Sequence, residues 1–136
     1  MGRQLKFMLD TNMVIYIIKQ RPESVLQRFL LHAPSEFCIS SITLAEMQYG
    51  IAKSSKPEQN QLALVSFLSN IEVAPFDDKA AVEYGPIRAG LEKLGTPIGG
   101  NDMLIAAHAK AIGLTVITNN TKEFERIPGL KLENWV

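Results

Sequence analysis

Four times along these 136 residues a short apolar run ends on side chains that cap helices. Phe7-Met8-Leu9 runs into Asp10-Thr11-Asn12, and Phe37-Cys38-Ile39 into Ser40-Ser41. The run 71–76 leads to Asp77-Asp78, and the run 114–118 to Asn119-Asn120. Ser, Thr, Asp and Asn at such junctions accept the free N–H groups of a first helical turn. Strands that hand over at once to helices predict a parallel sheet covered on both faces, since parallel neighbours need a crossover between them. The expected class is α/β with a mainly parallel central sheet, formed as a single domain over residues 1–136.

Strands are expected at 5–9, 37–40, 71–76 and 114–118, with an edge strand at 130–132. Helices are expected at 13–19, 23–31, 42–53, 57–68, 78–94 and 102–112, and a short turn from Asn119-Asn120-Thr121. Arg21-Pro22 breaks the first helix, Pro86 is expected to kink the fifth, and Gly113 stops the sixth. In the 42–53 helix the apolar stripe reads as Ile42, Ala45, Tyr49 and Ala52, with Thr43, Glu46, Gly50 and Lys53 on a neighbouring face.

Several function classes fall away. Cys38 is the only cysteine, so there is no internal disulfide and no thiolate metal site, and its apolar context predicts a buried, inert thiol. No segment has the ~18 consecutive apolar residues of a membrane span, and there is no secretory signal. Gly2 is followed by Lys6 where a myristoylation signal wants Ser or Thr, so the expected compartment is the cytosol. Fourteen basic and fourteen acidic residues cancel, which counts against a non-specific nucleic-acid binder but not against an enzyme with a local basic rim. There is no Walker loop and no G-x-G-x-x-G. His32 and His108 have no evident Ser or Cys nucleophile beside them.

The carboxylates carry the chemistry. Taken singly, Asp10 reads as an N-cap, Glu46 as a surface acid near a helix start, and Asp102 as an acid complementing a helix dipole. Taken together, all three lie at helix starts, which crowd one edge of a parallel α/β sheet. Ligands collect at that edge, outside the carboxyl ends of the strands. Acids sharing a cleft repel one another, and an oxygen-preferring divalent cation, Mg²⁺ or Mn²⁺, removes the repulsion. Gly99-Gly100 lets backbone approach a metal or phosphate closely before Asp102.

Met8-Leu9-Asp10-Thr11-Asn12, Ser41-Ile42-Thr43-Leu44-Ala45-Glu46, Pro97-Ile98-Gly99-Gly100-Asn101-Asp102, Ile105-Ala106-Ala107-His108-Ala109, Thr118-Asn119-Asn120 and Phe124-Glu125-Arg126-Ile127 together resemble a PIN domain. The likeness is strongest to the VapC toxins of bacterial VapBC toxin–antitoxin pairs, and it runs through nearly the whole chain. It implies a three-layer sandwich and endonucleolytic cleavage of RNA, with tRNA, including initiator tRNA, as a frequent target. Products would carry 5′-phosphate and 3′-hydroxyl ends. Asp10, Glu46 and Asp102 match the family's acids for Mg²⁺ or Mn²⁺, while Asn12, Thr118 and Asn120 would shape the cation's surroundings or the phosphate approach. Many PIN domains carry a fourth acid where this chain has Asn120; Glu123 is the candidate substitute, with a surface ion pair to nearby lysines as its alternative. A basic rim of Lys110, Lys122, Arg126 and Lys131 would guide RNA, against the alternative of a solvated face. The likeness also implies a homodimer, a VapB-like antitoxin covering the acids, and operator DNA met only through that antitoxin.

Two rivals remain at this stage. A phosphorylatable receiver needs a second acid beside the first and a Lys after a late strand; Leu9-Asp10-Thr11 and Thr118-Asn119 supply neither. A non-catalytic PIN-like interaction module finds support only in the missing fourth acid.

Overall fold

The computed structural model describes residues 4–136. The myristoylation reading at Gly2 lies outside them. Five strands, β1 (Phe7–Leu9), β2 (Phe37–Ser40), β3 (Glu72–Ala74), β4 (Thr115–Ile117) and β5 (Lys131–Glu133), form one sheet in the order β3-β2-β1-β4-β5. Every pairing is parallel. The chain builds outward from β1 through β2 to β3, then crosses back to set β4 on the other side of β1. That reversal is the topological switch point, and it opens between the ends of β1 and β4.

Alternation along each strand sends side chains to two helical layers. Met8, Cys38 and Val116 face α5 (Asp78–Lys93), α6 (Gly100–Ile112) and α7 (Thr121–Phe124). Phe7, Leu9, Phe37, Ile39 and Ile117 face α1 (Thr11–Lys19), α2 (Glu23–Leu30), α3 (Ser41–Ala52) and α4 (Pro57–Leu68). The result is a three-layer α/β/α sandwich. Among the described residues no helix is long and apolar enough to cross a membrane.

Local chemistry sets the boundaries. Asp10, Ser40 and Asp77 cap α1, α3 and α5 through their side-chain oxygens. Gln20 closes α1 with φ 59°, and Gly113 closes α6 with φ 72°. Helix α5 runs through Pro86; the carbonyl left without its N–H partner is that of Val82, a residue 73% exposed, so water can serve it. A 3-10 turn at Pro34–Glu36, not expected from the sequence, leads into β2.

The stripe expected on α3 is corrected. Tyr49 is 67% exposed and Ala45 and Ala52 are exposed, whereas Thr43 and Ile51 are buried, and Leu44 and Met47 pack on the α1–α4 side of the sheet. The inward face therefore includes the Thr43–Glu46–Gly50 row, and Glu46 looks towards α1 rather than into open solvent.

An aromatic cluster closes the α1–α4 layer at the C-terminal end of the chain. Trp135 is buried, meets Phe7 edge to face at 5.4 Å, and stacks on His32 at 5.6 Å. Its Nε1 donates to Glu133 Oε1 at 2.9 Å, and the Arg28 guanidinium lies 5.0 Å from its ring centre. Removing a buried indole leaves a cavity as well as lost contacts, so Trp135→Ala is expected to lower the unfolding free energy by about 3–5 kcal/mol in urea titrations. A loss below about 1 kcal/mol would show that the cluster does not secure the fold.

Candidate active site

Asp10 is the first residue beyond β1 and sits at the switch point. Its N–H donates to Ile117 O of β4 at 3.1 Å, and its Oδ1 accepts from Met13 N at 2.9 Å, so one carboxylate both caps α1 and faces the sheet edge. It is 4% exposed. Thr118, the first residue beyond β4, is fully buried. Its hydroxyl accepts from Asn120 N at 2.9 Å and gives its proton to the Asp10 carboxylate. The ends of two neighbouring strands thus hold one acid from both sides.

The other acids arrive on helices. Glu46, half-buried on α3, accepts a short hydrogen bond at Oε1 from Thr11 Oγ1, and the same Thr11 hydroxyl lies 3.4 Å from buried Thr43 Oγ1. Asp102 lies in the first turn of α6, with Oδ2 3.4 Å from where a Cβ on Gly99 would stand, so glycine there leaves room for the carboxylate to fold back on its helix start. Asn120 donates to Glu123 Oε2 and also hydrogen-bonds Asp102, bridging two acids with one amide.

These groups sense one another. Burial, the largest effect, pushes the Asp10 carboxyl up to about 6; the Thr118 and Met13 hydrogen bonds oppose this, and the charges of Asp102 and Glu46 add to it. Asp102 is also raised, first by burial, then by Glu123 and Glu46, against the Asn120 hydrogen bond. Among the described residues, the charged groups acting on both aspartates are carboxylates, with no lysine or arginine among them. The side chains are not drawn into a ready-made cage, since no group of three His, Cys, Asp or Glu among the described residues is gathered to hold a metal ion. They are held apart by neutral partners: Thr118 on Asp10, Thr11 on Glu46, Asn120 on Asp102 and Glu123. A set of hard, mutually repelling oxygen donors with neutral hydrogen-bond supports fits a divalent, oxygen-preferring cation.

The structure brings Asp10, Glu46, Asp102, Thr118, Asn120 and Glu123 to one edge. It does not bring Asn12 onto a carboxylate: Asn12 Nδ2 donates to Asn119 Oδ1 at 3.4 Å, and Asn119 Nδ2 to the Tyr16 hydroxyl at 3.0 Å. Thr11 was not among the residues singled out from the sequence, although its place after Asp10 at a helix start was a signal. Of the expected basic rim, Lys110 Nζ donates to Pro128 O and Arg126 to Pro97 O, so both brace loops. His108 and Cys38 are buried, and burial pushes the Cys38 thiol up to about 12, leaving it inert. An open, largely apolar groove of about 320 Å³, lined in part by Thr11, Ile15, Glu46, Met47 and Ile51, lies beside Glu46.

The chain as a whole is similar to known proteins. The PIN domain family matches residues 7–130. A Salmonella typhimurium protein named tRNA(fMet)-specific endonuclease VapC is 52% identical over 131 residues, covering 96% of this chain and 98% of the relative. The crystal structure of DNA-bound VapBC from Salmonella typhimurium matches with TM-score 0.91 and 52% identity, over 97% of this chain and 99% of that one. VapBC2 from Rickettsia felis, bound to a DNA fragment from its promoter, matches with TM-score 0.89 and 48% identity, over 97% of this chain and 100% of that one.

The raised Asp10 carboxyl makes stability depend on pH. Its ordinary value is 3.8 and its folded value about 6, so between these the folded chain binds the extra proton. Stability contributed by this group is complete below about pH 4, is lost as pH rises through about 6, and totals about 3 kcal/mol. Asp10→Asn keeps the cap but removes the titration. Urea titrations from pH 4 to 8, without divalent cations, should show the variant gaining on the parent as pH rises; a constant difference would exclude a raised Asp10.

Proposed function

The chain belongs to the PIN-domain family, and from that premise we propose that it is a VapC-type endoribonuclease, the toxin of a type II toxin–antitoxin pair. The observation that supports the reading is that Asp10, at the switch point, feels the charges of both Asp102 and Glu46, and that Asp102 feels those of Glu123 and Glu46. PIN-domain nucleases use a divalent metal; Mg²⁺ or Mn²⁺ suits these oxygen donors. When bound, such an ion activates water and offsets charge on the phosphodiester transition state.

Asp10 and Asp102 would hold the ion in this reading, and Glu46 would orient the attacking water or help to hold the ion. Thr118 holds Asp10 in its rotamer by donating to it, and Thr11 does the same for Glu46. Asn120 steadies Asp102 and Glu123 without adding charge, and Glu123 supplies the fourth acid. Asn12, through Asn119 and Tyr16, lines the approach to the edge rather than the acids themselves. Attack by water rather than by the RNA 2′-hydroxyl leaves 5′-phosphate and 3′-hydroxyl ends. The Salmonella relative's name supports tRNA, initiator tRNA included, as the substrate. Lys122 and Lys131 remain as exposed guides for the phosphate backbone.

The VapBC complexes among the structural neighbours support a VapB-like antitoxin as partner, and those bound to DNA support operator contact through that antitoxin. A basic antitoxin side chain among the acids, with its chain along the groove beside Glu46, would silence the site by neutralising it. We place the protein in the cytoplasm as a homodimer of single-domain chains.

Purified protein incubated with total tRNA should cut it in Mg²⁺ and stop in EDTA, leaving 5′-phosphate ends. Asp10→Asn and Asp102→Asn should lose at least the roughly 10–100-fold that removing an outer partner of a metal ligand costs. Cleavage that survives EDTA, or survives either substitution, would rule the reading out.

A further inference from the structure

Behind the acidic edge lies a buried polar contact to which this chemistry assigns no role. His108 is 1% exposed on the inner face of α6, the helix that carries Asp102. Its buried neighbours on that helix are Met103, Ile105, Ala106, Ala107 and Ala109, all apolar. Its Nδ1 lies 2.8 Å from Ser40 Oγ, the hydroxyl that accepts from Ile42 N at 3.1 Å and caps α3, the helix that carries Glu46. The edge of its ring meets Phe76 at 5.5 Å, and Phe76 N donates to Ser41 Oγ at 2.9 Å. One imidazole therefore ties the middle of α6 to the start of α3 and to the segment after β3.

The alanines explain why such a tie matters. Small side chains let α6 lie close to its neighbours but interlock with them poorly, and apolar contact has no direction. Sliding α6 by one residue would move Asp102 by about 1.5 Å. A displacement of about 1 Å can cost a catalytic group 100-fold. A hydrogen bond is directional, and a buried imidazole without its partner is costly, so the contact excludes slipped arrangements that apolar packing alone would tolerate. Burial keeps the ring neutral, against the nearby charge of Asp77. Ser40 Oγ still has a proton to give and a lone pair free after accepting from Ile42, so either ring tautomer forms the bond.

We infer that the His108–Ser40 hydrogen bond is a strut that sets the spacing of Glu46 and Asp102, which makes His108 a positioning residue of the nuclease site. The inference rests on the nuclease reading above. His108→Asn keeps an amide near the Nδ1 position, whereas His108→Gln carries its amide one bond further and misses Ser40. In Mg²⁺ with saturating tRNA, well below the lowest Tm of the set, the Gln chain should lose about 10–100-fold in kcat with little change in KM. Mn²⁺ binding followed by EPR should weaken in the same chain, and His108→Asn should restore both towards the parent. If the Gln chain does not fold, Ser40→Ala takes its place with the same expectations.

Parent-like kcat and Mn²⁺ affinity in the Gln chain would overturn the strut, as would an Asn chain no better than Gln. If the parent binds Mn²⁺ but cuts no RNA, the nuclease reading falls. The Mn²⁺ comparison then still decides the strut: weakened in Gln and restored in Asn supports it, and equal binding in all three overturns it. A parent that binds no Mn²⁺ overturns both.

Discussion

β1 is hydrogen-bonded on both sides, and the register of those two pairings determines where every acid stands. Phe7 pairs with Phe37 and with Thr115, and Leu9 with Ile117. Because those partners are set, the next residue on each side of the switch point is Asp10 or Thr118, and hydroxyl meets carboxylate. A slip of one residue would turn Phe7 and Leu9 from one helical layer to the other and move Asp10 away from its donor. The two cores that flank β1 oppose such a slip, so the precision of the site derives from apolar packing some distance from it.

That precision is achieved against electrostatics. Four carboxylates near one edge, two of them raised by burial and by neighbouring acids, lower the stability of the folded chain. Neutral donors moderate the cost: the Thr118 hydroxyl, the Thr11 hydroxyl, the Asn120 amide and the N–H of Met13. None of them cancels the charge, which leaves the site receptive to a cation or to a basic side chain from a partner.

Much of this was legible in sequence. The β2 and α4 boundaries match the sequence reading because their signals are local: Ser40 ends β2 by capping α3, and Pro57 opens α4. The layer order followed from strands handing over to capped helices. Asp10, Glu46 and Asp102 were visible as acids at helix starts, whereas their mutual influence needed the folded chain. The failures have one physical source, a partner distant in the chain. Glu46 taken singly reads as a surface acid until Thr11, 35 residues away, is placed against it, and Tyr49 reads as core until its neighbours fail to cover it. Lys110 and Arg126 hydrogen-bond to loop carbonyls that no local pattern announces.

The strand order has a further consequence in time rather than in space. β1 is made early and its second neighbour, β4, late; Asn12 and Asn119, which meet across the switch point, are 107 residues apart. Closing so large a loop must precede any reward from the pairing, so this is a slow step in folding. Until it is complete, Asp10 lacks the Thr118 hydroxyl, and α6 has not delivered Asp102. Asp10 is therefore held from both sides only in a chain whose β4 has paired with β1.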